Sequence, residues 1–440
     1  MGNVVEIGIG AIAQASRGAR LLGAVRVRTG KGMLSIADQI VASATTFLTG
    51  AVIGRLCDKE EFGLYTLGFS LLALLMAIQA SLITTPLSIN TPRLQGMALR
   101  TFSGSSLVHQ SIFGVAASLL TLCAGAVASF WDASLATLLA ATGAMLAFLL
   151  LRDYMRQSCF ARMAFAQALA ADVILAIIQL GGLAALVMMA RLSAVSAFLV
   201  LGGASAITAS FWIFRTRAER IIDRHEVQKD FSRTWSDGKW ILASGLLWAL
   251  SMNLYAWIIA AFHGTATTGV WAAAFGVMTL INPLMLGIQN YLGPRIMHAI
   301  PDGGIPELRR VVCHSSLAFS VPLAIFSFAM WFFGDALISS IYGAKYAGNG
   351  GLVFVLALNA TVLTLGFTTS RGLFALELAS LDFYVNLVAF VCFLLFGILL
   401  VRYAGPLGAA IAQVVTNGVA TTIRAAAFVR VSKRLATQPC

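Results

Sequence analysis

Few side chains in this chain are placed for chemistry, and their spacing excludes most reaction types. The five histidines, His109, His225, His263, His298 and His314, stand apart from one another and from the six scattered cysteines, so no sequence-local metal site assembles. Gly23 with Gly30-Lys31 imitates a phosphate loop, but six residues intervene where the motif has four. Gly32 also stands where the magnesium-holding Ser or Thr belongs. The run from Gly8 to Ala13 fits a loose dinucleotide pattern without the strand that must precede it. No Asp-x-Asp pair or hydrolase serine elbow occurs. No metal and no cofactor is expected.

What remains is polar and ionisable groups inside apolar runs, each of which costs free energy in a bilayer and needs a reason. Asp172 sits in the fifth run, with Gln179 about two turns further along the same face. It either serves a function within the apolar run or hydrogen-bonds a neighbouring helix. In the first run Ser35, Gln39, Thr46 and Thr49 form one stripe, with Asp38 and Thr45 beside it. The seventh run repeats this with Ser244, Trp248, Ser251 and Tyr255, and Asn253, Gln289 and Asn290 follow. Such stripes face either a packed neighbour or water. Asp38, near a helix end, is expected to be hydrated, which favours a polar cavity between the two halves of the chain, floored by helices one and seven. Arg152, Arg156 and Arg162 close the fourth run. Arg371, Glu377, Asp382 and Asn386 surround the start of the eleventh, where solvated ions of an interfacial loop are the alternative.

The elements that must position these groups follow from composition. The chain has 440 residues, 59% hydrophobic and 11% charged, with a mean hydropathy of +0.86. A soluble chain would carry roughly 25% charged residues, so this one cannot cover a water-facing surface. Long unbroken apolar runs exclude a β-barrel, and no disulfide framework emerges. The expectation is an all-α polytopic membrane protein with about twelve transmembrane helices, centred near residues 43, 76, 117, 142, 177, 201, 248, 279, 323, 356, 391 and 415.

With twelve spans, 25 of the 30 basic residues fall on one face. That bias predicts both termini in the cytoplasm. It also accounts for the +12 net charge without nucleic acid. The predicted organisation is a tail over 1–32, a six-helix half over 33–214, a basic linker over 215–238, a second half over 239–430 and a tail over 431–440. The apolar stretch from Val4 to Ala13 precedes its basic cluster, so a cleaved signal peptide is not expected. A weak repeat links the halves: Gly63-Leu64-Tyr65 with Phe69 matches Gly269-Val270-Trp271 with Phe275, and Pro92-Arg93-Leu94 matches Pro294-Arg295-Ile296. Six crossings return the chain to one side, so the repeats would run parallel. Pro86, Pro283 and Pro322 each favour a kink.

Several stretches carry a family likeness. Arg55-Leu56-Cys57-Asp58-Lys59-Glu60-Glu61-Phe62-Gly63-Leu64-Tyr65 resembles the segment joining the first two helices of Wzx-type polysaccharide flippases, in the multidrug/oligosaccharidyl-lipid/polysaccharide exporter superfamily. Asp58 and Lys59 stand where that family has Gly-Pro, a departure within a turn. Leu337 to Tyr346 resembles the family's outer segment after helix nine, and Tyr403 to Ala412 its turn into helix twelve. The stretch from Leu151 to Arg162 resembles its basic loop after helix four.

The resemblance implies a MATE-like rocker-switch transporter in the bacterial inner membrane, with two halves around a cavity. Its implied cargo is a polyprenyl-pyrophosphate-linked oligosaccharide moved to the periplasmic leaflet, in the company of membrane lipids and of polysaccharide polymerase or export proteins. By position and residue type, Arg152, Arg156 and Arg162 are candidates for the anionic headgroup. Gln39, Thr46, Trp248, Ser251, Tyr255 and Gln289 are candidates for the cavity wall, and Asp38 and Asp172 for ion coupling. A cation-coupled multidrug antiporter of the same superfamily would share the fold. A membrane polysaccharide polymerase would need a large outer loop, and every outer loop is short, so enzyme activity is not expected. The segment from Asn90 to Gly104 lacks the Asp-Arg-rich signature of major-facilitator carriers.

Overall fold

The computed structural model describes residues 32–437, leaving aside the side chains of 233–241, 244, 282–284, 286–291, 293–294, 379, 436 and 437. The expected tail over 1–32 therefore lies almost wholly outside the described residues. Among the described residues there is no strand, and ten helical segments are long and apolar enough to cross a membrane. Three of the ten contain glycine breaks. Gly264 (φ 81°), the Gly303-Gly304 pair (φ 68° at Gly304) and Gly405 (φ 53°) leave the helical region, as only glycine does cheaply. Thr268 Oγ1 lies 3.5 Å from the Ala256 carbonyl, so the chain has doubled back at Gly264. Gly408 packs so closely on the Leu400 carbonyl that a Cβ would lie 2.0 Å from it, which marks the same reversal at Gly405.

Divided at these breaks, the described chain makes twelve passes. They are α1 (Gly32–Leu56), α2 (Lys59–Arg93), α3 (Gly96–Ala128), α4 (Ala133–Ala161), α5 (Phe165–Met188) and α6 (Ala194–Arg215). The second half holds α7 (224–263), α8 (265–302), α9 (305–342), α10 (Gly350–Ala375), α11 (379–404) and α12 (406–437). We call the end carrying residues 32 and 437 the terminal face and the opposite end the distal face. Residues 224–238, within the stretch expected as a linker, are already helical and continue into α7.

The halves share a core along α2, α7 and α8, and the sequence repeat lies on it. Gly63 and Gly269 face each other: a Cβ on Gly63 would lie 1.9 Å from the Thr265 carbonyl, and one on Gly269 2.1 Å from that of Lys59. Beyond them Tyr65 stacks on Phe69 (6.1 Å, 26°) and Trp271 on Phe275 (6.0 Å, 24°). Both second helices are irregular just before their proline: a π-helical turn at Ala80–Thr84 precedes Pro86, and a 3-10 turn at Thr279–Ile281 precedes Pro283. A proline has no N–H to give and crowds the carbonyl four residues back, and these turns absorb the misfit. Pro322 leaves the helical backbone of α9 unbroken, so the expected kink is not marked there.

The linker after α6 is docked on the first half. Ile221 N–H donates to the Arg100 carbonyl (3.1 Å), Arg100 donates to Ala218 O, and Gly104 leaves room for the Ile221 carbonyl.

Candidate functional site

Three chambers with polar groups in mainly apolar walls lie along the bundle, each sharing wall residues with the next. The first, about 150 Å³, lies among α1, α2, α4, α5 and α6 and is bordered by Thr45, Thr46, Arg152, Asp153, Asp172 and Gln179. Tyr65, Phe69 and Thr46 also border the second, about 200 Å³, between the halves, where they face Asn253, Trp271 and Phe275. Met252 joins this to the third, about 370 Å³, in the second half. There Trp248, Ser251 and Tyr255 of α7 meet Asp382 and Asn386 of α11 and Gln413, Asn417 and Arg424 of α12.

Expected headgroup and coupling residues come together in the first half. Arg152 Nη2 donates to Asp172 Oδ1 at 2.6 Å. Arg156 Nη2 donates to Asp38 Oδ2 at 2.6 Å and to Gln39 Oε1 at 3.1 Å, and its Nε lies 3.0 Å from Asp172 Oδ2. Asp153 accepts from Gln79 Nε2 (3.0 Å), and Gln179 donates to Thr49 (2.8 Å). Buried charges are stable only when paired in this way. Asp38 is fully buried rather than hydrated, because the α4 guanidinium supplies the partner that water would have been. Arg152 and Arg156 lie inside α4, not in the loop after it, since Asp38 and Asp172 hold them there. Asp38 Oδ1, Arg152 Nε and Asp172 Oδ2 are buried without a hydrogen-bond partner.

Arg162 stands apart from this cluster, pairing with Glu219 of the linker and donating to Ser103 Oγ (3.0 Å). Gln39 spends its amide on Ser43 (3.2 Å), while Thr46 reaches both the first and the central chamber. Trp248, Ser251 and Tyr255 line the third. The Gln289 side chain lies outside the described residues.

Sequence reasoning missed Arg424. Its Nε donates to Asp382 Oδ1 (2.7 Å) and its Nη2 to Asn386 Oδ1 (2.6 Å), while Ser370 also donates to Asp382 (3.0 Å). Counted only among the 25 basic residues of one face, it ends a polar stripe, Gln413, Asn417, Thr421 and Arg424, at helical spacing on α12. That stripe was the available signal.

The distal face is shut by contacts between halves. Arg55, at the end of α1, donates to the Ser340 and Ile341 carbonyls in the last turn of α9 (2.5 and 3.2 Å). Lys345, just past α9, donates back to the Cys57 and Arg55 carbonyls at the end of α1. Each cation thus caps the other helix's C-terminus, where free carbonyls and the dipole favour positive charge. Phe62 packs on Tyr342 (5.6 Å) and Tyr346 (6.4 Å) beneath them. Burial pushes the Cys57 thiol up to about 11, with Glu61 adding to it.

Solved structures of transporters share this two-half fold. An inward-facing multidrug resistance MATE family transporter of the MOP superfamily superposes with a TM-score of 0.75 at 13% identity, covering 92% of this chain and 100% of its own. The lipid II flippase MurJ in an inward closed conformation gives 0.74 at 13% identity, over 92% and 90%. An outward-facing MATE transporter gives 0.61 at 15% identity, over 92% and 95%. The chain belongs to the polysaccharide biosynthesis protein family, whose model matches residues 30–298. No curated protein sequence matches it.

Proposed function

We propose that the protein flips a polyprenyl-pyrophosphate-linked oligosaccharide from the cytoplasmic to the periplasmic leaflet of the bacterial inner membrane, by alternating access of the space between its halves. One observation carries the reading: in this fold the Arg152 guanidinium borders a chamber, and a second guanidinium, Arg156, stands beside it on the shared Asp172, while the distal end is closed. A pyrophosphate crossing low dielectric needs charge-assisted, bidentate partners, and the lipid tail can stay in the bilayer. The excess of basic residues on the terminal face supports a cytoplasmic position for that face and for both termini.

On this reading Asp38 and Asp172 hold the guanidiniums until substrate arrives. The pyrophosphate displaces them, and a displaced buried carboxylate is costly unless it takes up a proton or small cation, which couples transport to a gradient. Arg162, bound to Glu219, anchors the linker. No bond is made or broken; the product passes to polymerase or export proteins at the periplasmic leaflet.

The test is depletion in the host, reading the amount and sidedness of lipid-linked oligosaccharide with an impermeant sugar-modifying reagent. Accumulation on the cytoplasmic leaflet is expected. Complementation by Asp172→Asn should restore export that no longer responds to the ion gradient. Normal amount and sidedness after depletion would overturn the reading and move the cargo to a small cation or drug.

A further inference from the structure

We infer that the chamber in the second half is a saccharide site, taking the uncharged, polyhydroxylated part of the substrate while the first chamber takes the pyrophosphate. This rests on the flippase reading and divides the substrate between two places.

Charge separates the chambers first. Among the described residues bordering the third, Asp382 and Arg424 are the charged ones, and they are bonded to each other at 2.7 Å. Asn386 and Ser370 also bond to this pair, and no second guanidinium stands beside Arg424 among the described lining residues as Arg156 stands beside Arg152, so the bidentate pairing that a pyrophosphate needs is better met in the first half. The remaining polar wall is amide and hydroxyl, the chemistry that recognises sugar hydroxyls.

Gln413 points to a missing ligand. It is 2% exposed, and its carbonyl accepts from Asn359 Nδ2 (3.1 Å), but its own Nε2 has no partner. A buried N–H donor left unpaired is unfavourable, and a hydroxyl oxygen entering the chamber would satisfy it. Asn417 donates to Asn359 Oδ1 (2.8 Å), which fixes the amide row in one orientation.

Trp248 supplies the other half of sugar chemistry. It is 57% exposed, yet it lines this chamber, leaving a flat apolar ring open where the C–H face of a pyranose can stack. Size agrees as well: about 370 Å³ falls within the roughly 300–1,000 Å³ of small-molecule sites, whereas the first chamber's 150 Å³ does not.

The experiment compares two probes on the full-length protein in nanodiscs: lipid-linked oligosaccharide extracted from the host's membranes, and polyprenyl pyrophosphate of the same chain length without sugar. Trp248→Ala, at an exposed ring, and Gln413→Leu, close in volume, should each weaken the sugar-bearing probe about tenfold and leave the sugarless one unchanged. Arg152→Ala should weaken both. Equal losses on both probes, or no loss on either, would overturn the saccharide site while the flippase reading stands. Wild-type protein that binds neither probe would overturn both.

Discussion

At the distal end cations of each half are bonded to backbone carbonyls of the other, whereas the ion pairs beside the chambers each stay within one half. Arg55 and Lys345 reach from one half to backbone carbonyls of the other. Arg156, Asp38 and Asp172 belong to the first half, and Asp382 and Arg424 to the second. Among the described residues no ion pair near the chambers crosses between halves. The difference fits a rocking mechanism. Bonds that persist through the cycle can be buried and strong, because they never have to break. Bonds that open each cycle are better made to neutral carbonyls at a wet edge, where water can replace them cheaply.

The largest effect expected is inside the first half. Arg156→Ala removes the guanidinium from Asp38, which is fully buried, and from Asp172, and should cost about 3–5 kcal/mol of stability and abolish export. Arg424→Ala strips a carboxylate that is 14% exposed and still bonded to Ser370, so it should cost about half as much. Thermal unfolding in one detergent measures both. Adding Asp38→Asn to Arg156→Ala should recover part of the loss, with a coupling of about 1 kcal/mol or more. An Arg424 variant as unstable as the Arg156 variant would show that the two clusters are not different in kind.

Next in size is the contact between halves. In Gly269→Ala the added carbon would lie 2.1 Å from the Lys59 backbone carbonyl, which no side-chain rotation relieves. Overpacking of this kind costs about 1–3 kcal/mol, and it acts only on the closed distal end. Cys57 reports the opening. With the other five cysteines replaced and Gly269 kept, maleimide labelling at pH 8 should be slow, because burial holds the thiol up at about 11 instead of its ordinary 9.0. Exposure returns the thiol to its ordinary range and should raise the thiolate fraction, and the rate, by up to about a hundredfold. A labelling rate equal to wild type would mean that the glycine contact does not govern the distal face.

Much of this fold was legible because lipid imposes it. Runs of about twenty apolar residues, the basic bias and the Gly63 and Gly269 motifs gave twelve passes in two halves, and the structure sets those glycines face to face. Asp38, Arg156 and Asp172 were each singled out, yet as separate groups. Charge counting took Arg156 as a loop cation, whereas burial and a partner 118 residues away hold it inside α4. Pairing across helices leaves no trace in local spacing. Arg424 escaped for the same reason, although its stripe on α12 was readable. Glycine breaks hid hairpins in the opposite sense: helices that count as separate by hydropathy are continuous except at Gly264 and Gly405.

The smallest effect expected is at the latch itself. Lys345→Ala removes hydrogen bonds to the Cys57 and Arg55 carbonyls but leaves Arg55 on α9. A cation on exposed carbonyls is worth about 1 kcal/mol, so Cys57 labelling should rise by about fivefold, well short of Gly269→Ala. Two consequences of the substitution have opposite signs, which makes the measurement decisive. The Lys345 ammonium lowers the Cys57 thiol's pKa, so removing it with the distal face still closed would slow labelling. Faster labelling therefore requires exposure and not electrostatics. The added removal of Arg55 should raise the rate further, since each cation caps a different helix end. A double variant no faster than Lys345→Ala would mean that the α9 carbonyls bonded by Arg55 do not hold the halves together, and would leave the aromatic contacts of Phe62 with Tyr342 and Tyr346 as the seal.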